Sequence, residues 1–437
     1  MSLNTIDLRS AVLNRAELSR VIPRAQTDVS VASAAAHQLI NDVREHGEQA
    51  LLEQAERLDG VLPERVRIHA DEITRATRAL DPAVRDALEL AIDRVQTASK
   101  AQVPPPMMTR LGDGAEIVQR WQPVNRVGLY VPGGKAVYPS SVIMNVVPAQ
   151  VAGVSSVALA SPPQRSFGGA VHPTILGAAG LLGVDEVYAM GGAGAIGAFA
   201  YGVQDLGLDP VDIITGPGNV YVAAAKRAVR GVVGIDSEAG PTEIVIIADG
   251  SADPRLVAAD LLSQAEHDEL AAAVLVTDSE DLADAVSVHL AEQLSSTPHA
   301  KRASAALEGQ QSAIVLVSDM AAAAALSNAY GPEHLEIQTE ESGTVLDMID
   351  NAGAIFLGDQ SPVSLGDYLA GSNHVLPTGG QSRFSSGLGA YTFLRPQQII
   401  RYSHDALRTL EPHIVALSTA EDLPAHGSAV SKRFPER

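Results

Sequence analysis

The chain has 437 residues, of which 46% are apolar and 4% aromatic, with 12 histidines, no cysteine and a formal net charge of −21 at pH 7. This length predicts several domains with aliphatic cores, and the acidic balance argues against nucleic acid and anionic membranes as partners. The missing cysteines exclude disulfides, thiolate nucleophiles and cysteine-bound zinc. With no long apolar run and no leader-like N-terminus, we predict a cytoplasmic protein.

Residues 1–125 are predicted to form a helical N-terminal region. Apolar positions three and four apart in residues 31–58 and 70–100 are typical of helices. The PPP run at 104–106 ends this region because proline cannot continue a helix, and residues 109–124 resemble a short hairpin. We expect the region to pack on the second of the two units that follow.

From residue 126 onwards, strand patterns alternate with helix patterns. The predicted strands are RVGLYV (126–131), VALAS (157–161), EVYAM (186–190), DIIT (212–215), EIVIIA (243–248), AAVLVT (272–277), AIVLVS (313–318) and AIFLG (354–358). This alternation predicts an α/β fold with parallel sheets covered by helices on both faces. We assign an incomplete Rossmann-like unit to 126–238 and a second α/β unit to 239–380. The tail 381–437 is too small for a core of its own, and we expect it to pack on a second subunit.

Four polar clusters in the last two-fifths of the chain each contain a histidine: SQAEH (263–267), GPEHLEI (331–337), GDYLAGSNH (366–374) and EDLPAH (421–426). Together they indicate one folded polar site whose Gln, His and Asp side chains suit a metal ion. A helix starting at Asp253-Pro254 would place Asp260, Gln264 and His267 on one face. Taken alone, this segment is also compatible with a polar helix end.

Glu333 and His334 fall between a predicted helix and a strand, and they could act as an acid–base pair. Both reach one site only if the backbone turns there, and the alternative is an exposed loop pair. Asp367 and His374 are predicted on a glycine-rich loop after a strand, where open α/β sheets bind ligands. His426 taken alone is typical of a surface histidine.

The segment GGAGAIG (191–197) contains G-x-G-x-x-G directly after a strand and at the start of a helix. That context is typical of a dinucleotide-binding turn. The motif follows the third strand of its unit rather than the first, so a glycine-rich helix packed closely on its sheet is an equal alternative. GPGN (216–219) opens the next helix and could offer N–H groups to a phosphate.

Taken in order, these motifs resemble the histidinol dehydrogenase family. The resemblance is carried by GLYVPGG (128–134), GPGNVYVAAAKR (216–227), AGPTE (239–243), SQAEH, GPEHLEI, GDYLAGSNHVLPT and LPAH. It implies an aldehyde-dehydrogenase-like architecture and a homodimer with shared active sites. It also implies oxidation of L-histidinol to L-histidine through histidinaldehyde, with two NAD and one zinc ion per subunit.

The resemblance also implies roles for individual positions. The zinc ligands would be Gln264, His267, Asp367 and, from the partner subunit, His426. The acid–base pair would be Glu333 and His334. The substrate would contact Thr242, His374 and Glu421, besides His334 and the zinc ligands. NAD would contact Tyr130, Gly194 and Asn219, although the family commonly has a glutamine where this chain has Gly194.

These roles agree with the chemistry of the residues. Alcohol oxidation needs a base for the hydroxyl proton, which suits His334, and aldehyde oxidation needs an activated water, which suits Glu333. A thiohemiacetal route is closed without cysteine. Asp260, one turn before Gln264, would support that ligand from behind. Two alternatives are a zinc hydrolase that needs no dinucleotide, and a metal- or metabolite-binding protein without turnover.

Overall fold

A computed structural model describes residues 3–25, 29–133, 137–238 and 240–434. The strands are β1 (Asn4–Asp7), β2 (Met107–Gly112), β3 (Ala115–Pro123), β4 (Arg126–Tyr130), β5 (Ser156–Ser161), β6 (Val187–Ala189), β7 (Ile213–Thr215), β8 (Gly234–Ile235), β9 (Glu243–Ala248), β10 (Ala272–Thr277), β11 (Ala313–Leu316), β12 (His334–Gln338), β13 (Ala354–Leu357) and β14 (Leu394–Tyr402). Among the described residues, no helix is long and apolar enough to span a bilayer.

The helices alternate with these strands from β4 to β13. They are α1 (Arg15–Leu18), α2 (Val29–Gln54), α3 (Ala70–Arg78), α4 (Pro82–Ala101), α5 (Pro139–Ala152), α6 (Pro173–Leu181), α7 (Gly192–Tyr201), α8 (Val220–Val229), α9 (Pro254–Ala265), α10 (Glu280–Leu294), α11 (Ala300–Leu307), α12 (Met320–Tyr330), α13 (Ser342–Leu346), α14 (Val363–Tyr368), α15 (His404–Ala420) and α16 (Pro424–Ser431). The predicted α/β class and the two parallel-sheet units are confirmed.

The two parallel sheets share one strand order. The first has the order β6-β5-β4-β7-β8, and the second has β11-β10-β9-β12-β13 with β1 added at the β11 edge. In each sheet the first strand of the unit, β4 or β9, is central. The strand order reverses between this strand and the fourth strand of the unit, β7 or β12. All residues of β9 and β10 are buried, as expected for apolar strands covered on both faces.

The long N-terminal helices pack on the first α/β unit, which corrects the expectation that they pack on the second. Helix α2 lies against α7 and α8, α3 against α6, and α4 against α5. Small residues of α7 permit this contact: a Cβ at Gly194 would lie 2.1 Å from Gln54 Oε1, and one at Gly197 would lie 3.1 Å from the Ile40 Cα. From the start of the chain, β1 and α1 instead join the second unit, against β11 and α12, and Ile22 and Arg24 also contact that unit.

Residues 103–124 and 394–434 belong to a separate compact unit. The predicted hairpin is present as β2 and β3, and β14 pairs antiparallel with the whole of β3. Helices α15 and α16 pack on each other. This pairing divides the chain differently from the predicted boundaries at 125 and 381, because β14 joins the hairpin. The unit exposes the apolar side chains of Val103, Met107, Met108, Leu111, Ile399, Ile400, Leu410, Val415, Leu417 and Leu423.

Candidate active site

Glu333 and His334 lie together where the chain enters β12. Helix α12 ends at Tyr330 and is capped by Gly331, which has a φ of 63°, and Pro332 follows, so the backbone turns immediately before the strand. Glu333 is 7% exposed and His334 is 5% exposed. Glu333 Oε2 lies 3.6 Å from His334 Nδ1. The alternative of an exposed loop pair is therefore wrong.

The hydrogen bonding of His334 assigns its tautomer. Nδ1 lies 3.1 Å from the carbonyl oxygen of Glu243. A carbonyl can only accept, so Nδ1 carries the hydrogen and Nε2 carries the lone pair. Burial lowers the pKa of His334. His334 is thus a neutral imidazole whose Nε2 can accept a proton.

The Glu333 carboxylate accepts two hydrogen bonds, one from the first residue of β9 and one from the residue just before it. The Thr242 hydroxyl donates to Oε2 at 2.5 Å, and the Glu243 N–H donates to the same oxygen at 3.0 Å. Burial raises the pKa of Glu333 to about 7, although both hydrogen bonds oppose the shift. A carboxyl group with such a pKa can take up and release a proton near neutral pH.

Three of the predicted metal ligands lie in the same compact unit as the acid–base pair: Gln264, His267 and Asp367. Gln264 Nε2 donates to the Thr242 hydroxyl at 2.8 Å, and Gln264 Oε1 is buried without a hydrogen-bond partner among the residues that the structure describes. His267 Nε2 lies 3.9 Å from Asp367 Oδ2. Two local predictions are corrected: α9 ends at Ala265, before His267, and Asp367 lies in the short helix α14 rather than on a loop.

This donor set fits zinc, which binds imidazole nitrogen and carboxylate oxygen and is compatible with the unpartnered amide oxygen of Gln264. Within the described ranges, no three His, Cys, Asp or Glu side chains come together to hold a metal. The compact unit that contains the acid–base pair supplies two such residues and an amide, so a complete tetrahedral shell needs a further ligand. His426 and Glu421 belong to the other compact unit, and both are exposed.

Asp260 does not hydrogen-bond Gln264 within the described structure, although it lies one turn before it on α9. Gln338 Nε2 donates to Asp260 Oδ2 and to Glu336 Oε2, both at 3.0 Å. Glu336 Oε1 in turn accepts from the N–H of Val363 at 2.9 Å, at the start of α14. Burial raises the pKa of Asp260, and that of Glu336 to about 8. The buried acid pair thus links the elements that carry Gln264 and Asp367.

His374 connects the two α/β units. Its Nδ1 lies 2.9 Å from the Asp367 carbonyl, and its Nε2 lies 3.0 Å from the hydroxyl of Ser141, in the first turn of α5. Sequence analysis missed Ser141, because a serine in the first turn of a helix is an ordinary feature. Both ring nitrogens are engaged, so a substrate contact through His374 would replace the Ser141 hydroxyl.

The residues predicted to bind NAD surround the carboxyl edge of the first sheet. The Tyr130 hydroxyl accepts the N–H of Gly192 at 3.1 Å, and the Asn219 side chain caps α8. A Cβ at Gly216 would lie 1.9 Å from the Tyr130 carbonyl, so the GPGN turn is held directly against the end of β4. Gly194 faces α2, which favours close helix packing over a dinucleotide-binding turn as the reason for this glycine. The surface that it packs against is helix α2, however, and not the sheet that was expected.

The acid–base residues lie at the amino ends of strands, as their predicted place between a helix and a strand indicates, whereas Asp367 and His374 were expected beyond a carboxyl end. His334 begins β12 and Glu243 begins the neighbouring strand β9. Helix α9 runs back from the opposite edge, so its final turn brings Gln264 to the same place. The sequence patterns locate the strands, but they do not show at which edge of the sheet the ends of the helices add residues to the site.

The whole chain matches known proteins. The family model described as histidinol dehydrogenase matches residues 22–434. The histidinol dehydrogenase of Leifsonia xyli subsp. xyli is 67% identical, with 100% of both chains covered. That of Mycolicibacterium smegmatis is 56% identical over 99% of this chain and 98% of its own.

A solved structure has the same fold over nearly its full length. The crystal structure of histidinol dehydrogenase from Elizabethkingia anophelis matches with a TM-score of 0.92 and 32% identity, covering 99% of this chain and 98% of that one. Identity at this level over the full length shows family membership as well as fold. The chain therefore belongs to the histidinol dehydrogenase family, which consists of oxidoreductases.

Proposed function

We propose that this enzyme oxidises L-histidinol to L-histidine through histidinaldehyde, using two NAD and one zinc ion per subunit. The observation that carries the proposal is the buried pair of Glu333 and His334, with a carboxyl pKa of about 7 and a neutral imidazole. The overall reaction is R–CH2OH + 2 NAD+ + H2O → R–COO− + 2 NADH + 3 H+. Two proton acceptors with different roles suit a reaction in two steps.

In the first step His334 acts as the base. Its Nε2 takes the hydroxyl proton while hydride leaves the carbinol carbon for NAD, and the carbon–oxygen bond becomes a carbonyl. The Glu243 carbonyl holds Nδ1–H, so the lone pair on Nε2 stays directed away from the backbone. The buried position excludes bulk water from competing for that lone pair.

In the second step Glu333 acts on water. It accepts a proton from the water molecule that adds to the aldehyde, which gives the hydrate anion R–CH(OH)O−. The remaining carbon-bound hydrogen of this anion leaves as hydride for a second NAD, and the carboxylic acid that forms releases its proton. Thr242 and the Glu243 N–H hold the carboxylate in place for this transfer. The absence of cysteine from the sequence makes direct hydration the consistent route.

Gln264, His267 and Asp367 would hold zinc, with His426 of the partner subunit as the fourth ligand. When bound there, zinc would supply a Lewis acid that grips the imidazole and amine of the substrate. Thr242 hydrogen-bonds both Gln264 and Glu333, so one hydroxyl connects the ligand set to the base. His374 and Glu421 would contact the substrate from either side.

NAD would bind at the carboxyl edge of the first sheet, with Tyr130 and Asn219 lining the site and Gly194 contributing backbone only. The reversal of strand order between β4 and β7 supports this position, because open α/β sheets bind dinucleotides there. The hydrogen bond between Ser141 and His374 joins this unit to the one with the acid–base pair.

We infer that the protein forms a homodimer. The unit of residues 103–124 and 394–434 exposes ten large apolar side chains, and extensive apolar exposure is typical of an interface. The same unit carries Glu421 and His426, which would complete the site of the partner. The cytoplasmic location stays a prediction.

The test is to incubate purified protein with L-histidinol and NAD and to identify the products by mass spectrometry. The proposal expects L-histidine and NADH, with no product when NAD is left out. Turnover without NAD would favour the zinc hydrolase, and zinc binding without turnover would favour the binding protein.

A further inference from the structure

Glu243 contacts both members of the acid–base pair through its main chain. Its N–H donates to Glu333 Oε2 at 3.0 Å, and its carbonyl accepts from His334 Nδ1 at 3.1 Å. It is the first residue of β9, which pairs with β10 on one side and β12 on the other. The orientation of both catalytic side chains therefore depends on the position of this one residue.

The Glu243 side chain forms a buried ion pair with Arg24. Arg24 Nη1 donates to Glu243 Oε1 at 2.7 Å, and the two side chains are 27% and 5% exposed. The other nitrogen, Nη2, donates to the carbonyl of Tyr330, and the guanidinium lies 4.0 Å from the centroid of that ring. Arg24 is thus fixed by two contacts on α12 while its charge faces Glu243.

The charged and titratable groups around the acid–base pair come from several elements: Glu243 on β9, Arg24 before α2, Tyr330 at the end of α12, His267 after α9, Asp367 in α14 and His374 after α14. Burial raises the pKa of Glu243, and the Arg24 guanidinium 2.7 Å away opposes that shift by stabilising the carboxylate. Within the described residues, neither Arg24 nor Glu243 hydrogen-bonds a proposed metal ligand. Both can therefore be replaced without changing the ligand set.

We propose that Glu243 and Arg24 form a positioning pair for Glu333 and His334, in which the backbone of Glu243 orients both side chains and the two opposite charges cancel beside them. The inference rests on the proposed acid–base roles of Glu333 and His334. An uncancelled positive charge would favour the ionised form of Glu333 and the neutral form of His334. The pH at which both bases become active then depends on the balance of the pair.

Glu243→Gln tests the charge while keeping the shape and the acceptor for Arg24. We expect the acid limb of the kcat profile for NADH formation to move to lower pH by about one pH unit. Arg24→Met combined with Glu243→Gln removes both charges, and the limb returns toward its wild-type position. The KM for NAD stays unchanged in both variants, because the proposed NAD site lies on the first α/β unit.

Arg9→Met is the matched control, because Arg9 is an exposed guanidinium in the same N-terminal segment. It should leave the profile unmoved. An acid limb at the wild-type pH in Glu243→Gln would overturn the proposal, whatever the loss of rate. The proposal would also be overturned if the acid limb of the double variant stayed at the same pH as that of Glu243→Gln alone. A wild-type protein that forms no NADH refutes the proposed function instead, so the two failures are distinguishable.

Discussion

The two α/β units have the same strand order, but the proposed NAD residues and the acid–base pair lie at opposite edges of their sheets. In the first unit, Tyr130 is the last residue of β4, and the turn that contains Asn219 follows the carboxyl end of β7. In the second, Glu243 and His334 begin β9 and β12. Carboxyl edges are the usual ligand positions in open α/β sheets, so the first unit follows the rule and the second departs from it. Strand order alone therefore does not locate a site.

This difference suits a reaction between two bound molecules. A cofactor at the carboxyl edge of one sheet and a substrate at the amino edge of the other can meet where the units touch. Ser141 and His374 touch there, and the Asn373 side chain donates to the Met144 carbonyl at 2.6 Å on the same helix α5. We therefore expect substitutions in the second unit to affect the chemical steps and substitutions in the first unit to affect NAD affinity.

The largest effect is expected from the acid–base pair. His334→Asn should lower kcat by about 10²–10⁴-fold, because the hydroxyl proton loses its acceptor. Glu333→Gln should leave the first hydride transfer largely intact and impair oxidation of the aldehyde, so NADH formed per histidinol falls from two toward one. Stopped-flow NADH absorbance with added histidinaldehyde separates the two steps.

Glu340→Gln, an exposed change beyond the far end of β12, is the control for these variants and should leave both steps unchanged. If Glu333→Gln slowed both oxidations equally, the separate roles of the two residues would be wrong. If either variant raised the Kd of NAD instead, the division between the units would fail.

The next effect is expected from the metal ligands. His267→Ala and His426→Ala should each lower zinc affinity by more than about tenfold, since even residues behind a ligand typically contribute that much. Metal content after dialysis, measured by mass spectrometry, checks this, with the half-exposed His289→Ala as control. Retention of full zinc content by both variants would remove them from the ligand set.

Mixing the same two variants tests the shared site. A dimer with one His267→Ala and one His426→Ala subunit contains one site with both ligands intact, so random exchange should restore roughly a quarter of wild-type activity. The measurement is NADH formation after joint refolding of the two inactive proteins. If no activity returned although mixed dimers formed, His426 would serve its own subunit.

A smaller effect concerns the buried acid pair of Glu336 and Asp260. The folded pKa of Glu336, about 8, lies above its ordinary value of 4.5. Its contribution to stability is therefore present below pH 4.5 and is lost as the pH rises through 8. Glu336→Gln stays neutral, so from pH 5 to pH 8.5 its Tm should rise relative to wild type by about 2 °C or more. A difference in Tm that does not change with pH would contradict the assignment.

The smallest effect is expected at Gly194. Gly194→Ala would bring a Cβ within 2.1 Å of Gln54 Oε1, in a buried amide that donates to the Leu39 carbonyl at 3.0 Å. We expect a loss of about 1 kcal/mol in unfolding free energy, with the Kd of NAD nearly unchanged. Denaturant unfolding and NAD titration measure both. A large rise in Kd at unchanged stability would show that Gly194 contacts the cofactor directly.

Most of the regular structure was predictable from periodicity. Strands such as EIVIIA and AAVLVT are apolar throughout because both faces of the sheet are covered, and the hairpin before residue 124 followed from its turn. The packing partner of the N-terminal helices was not predictable, because an apolar stripe does not identify the surface that it covers. The glycine surface of α7 on which α2 packs can be identified only from the three-dimensional structure.

The candidate site was predictable as a set of residues but not as an arrangement. Glu333, His334, Gln264 and His267 stood out by residue type and local spacing. Arg24 and Glu243 are 219 positions apart, and no local pattern connects two such residues. Glu336 and Asp260 were likewise hidden, because a buried acid in a strand has the same appearance in sequence as an exposed one.

The most direct test of the central claim is the amount of NADH formed per mole of L-histidinol by the purified protein, with and without a chelator. The account predicts two NADH per histidinol, loss of activity on chelation and recovery with zinc. One NADH per histidinol with release of the aldehyde would contradict the role of Glu333, and undiminished activity after removal of all metal would contradict the zinc site.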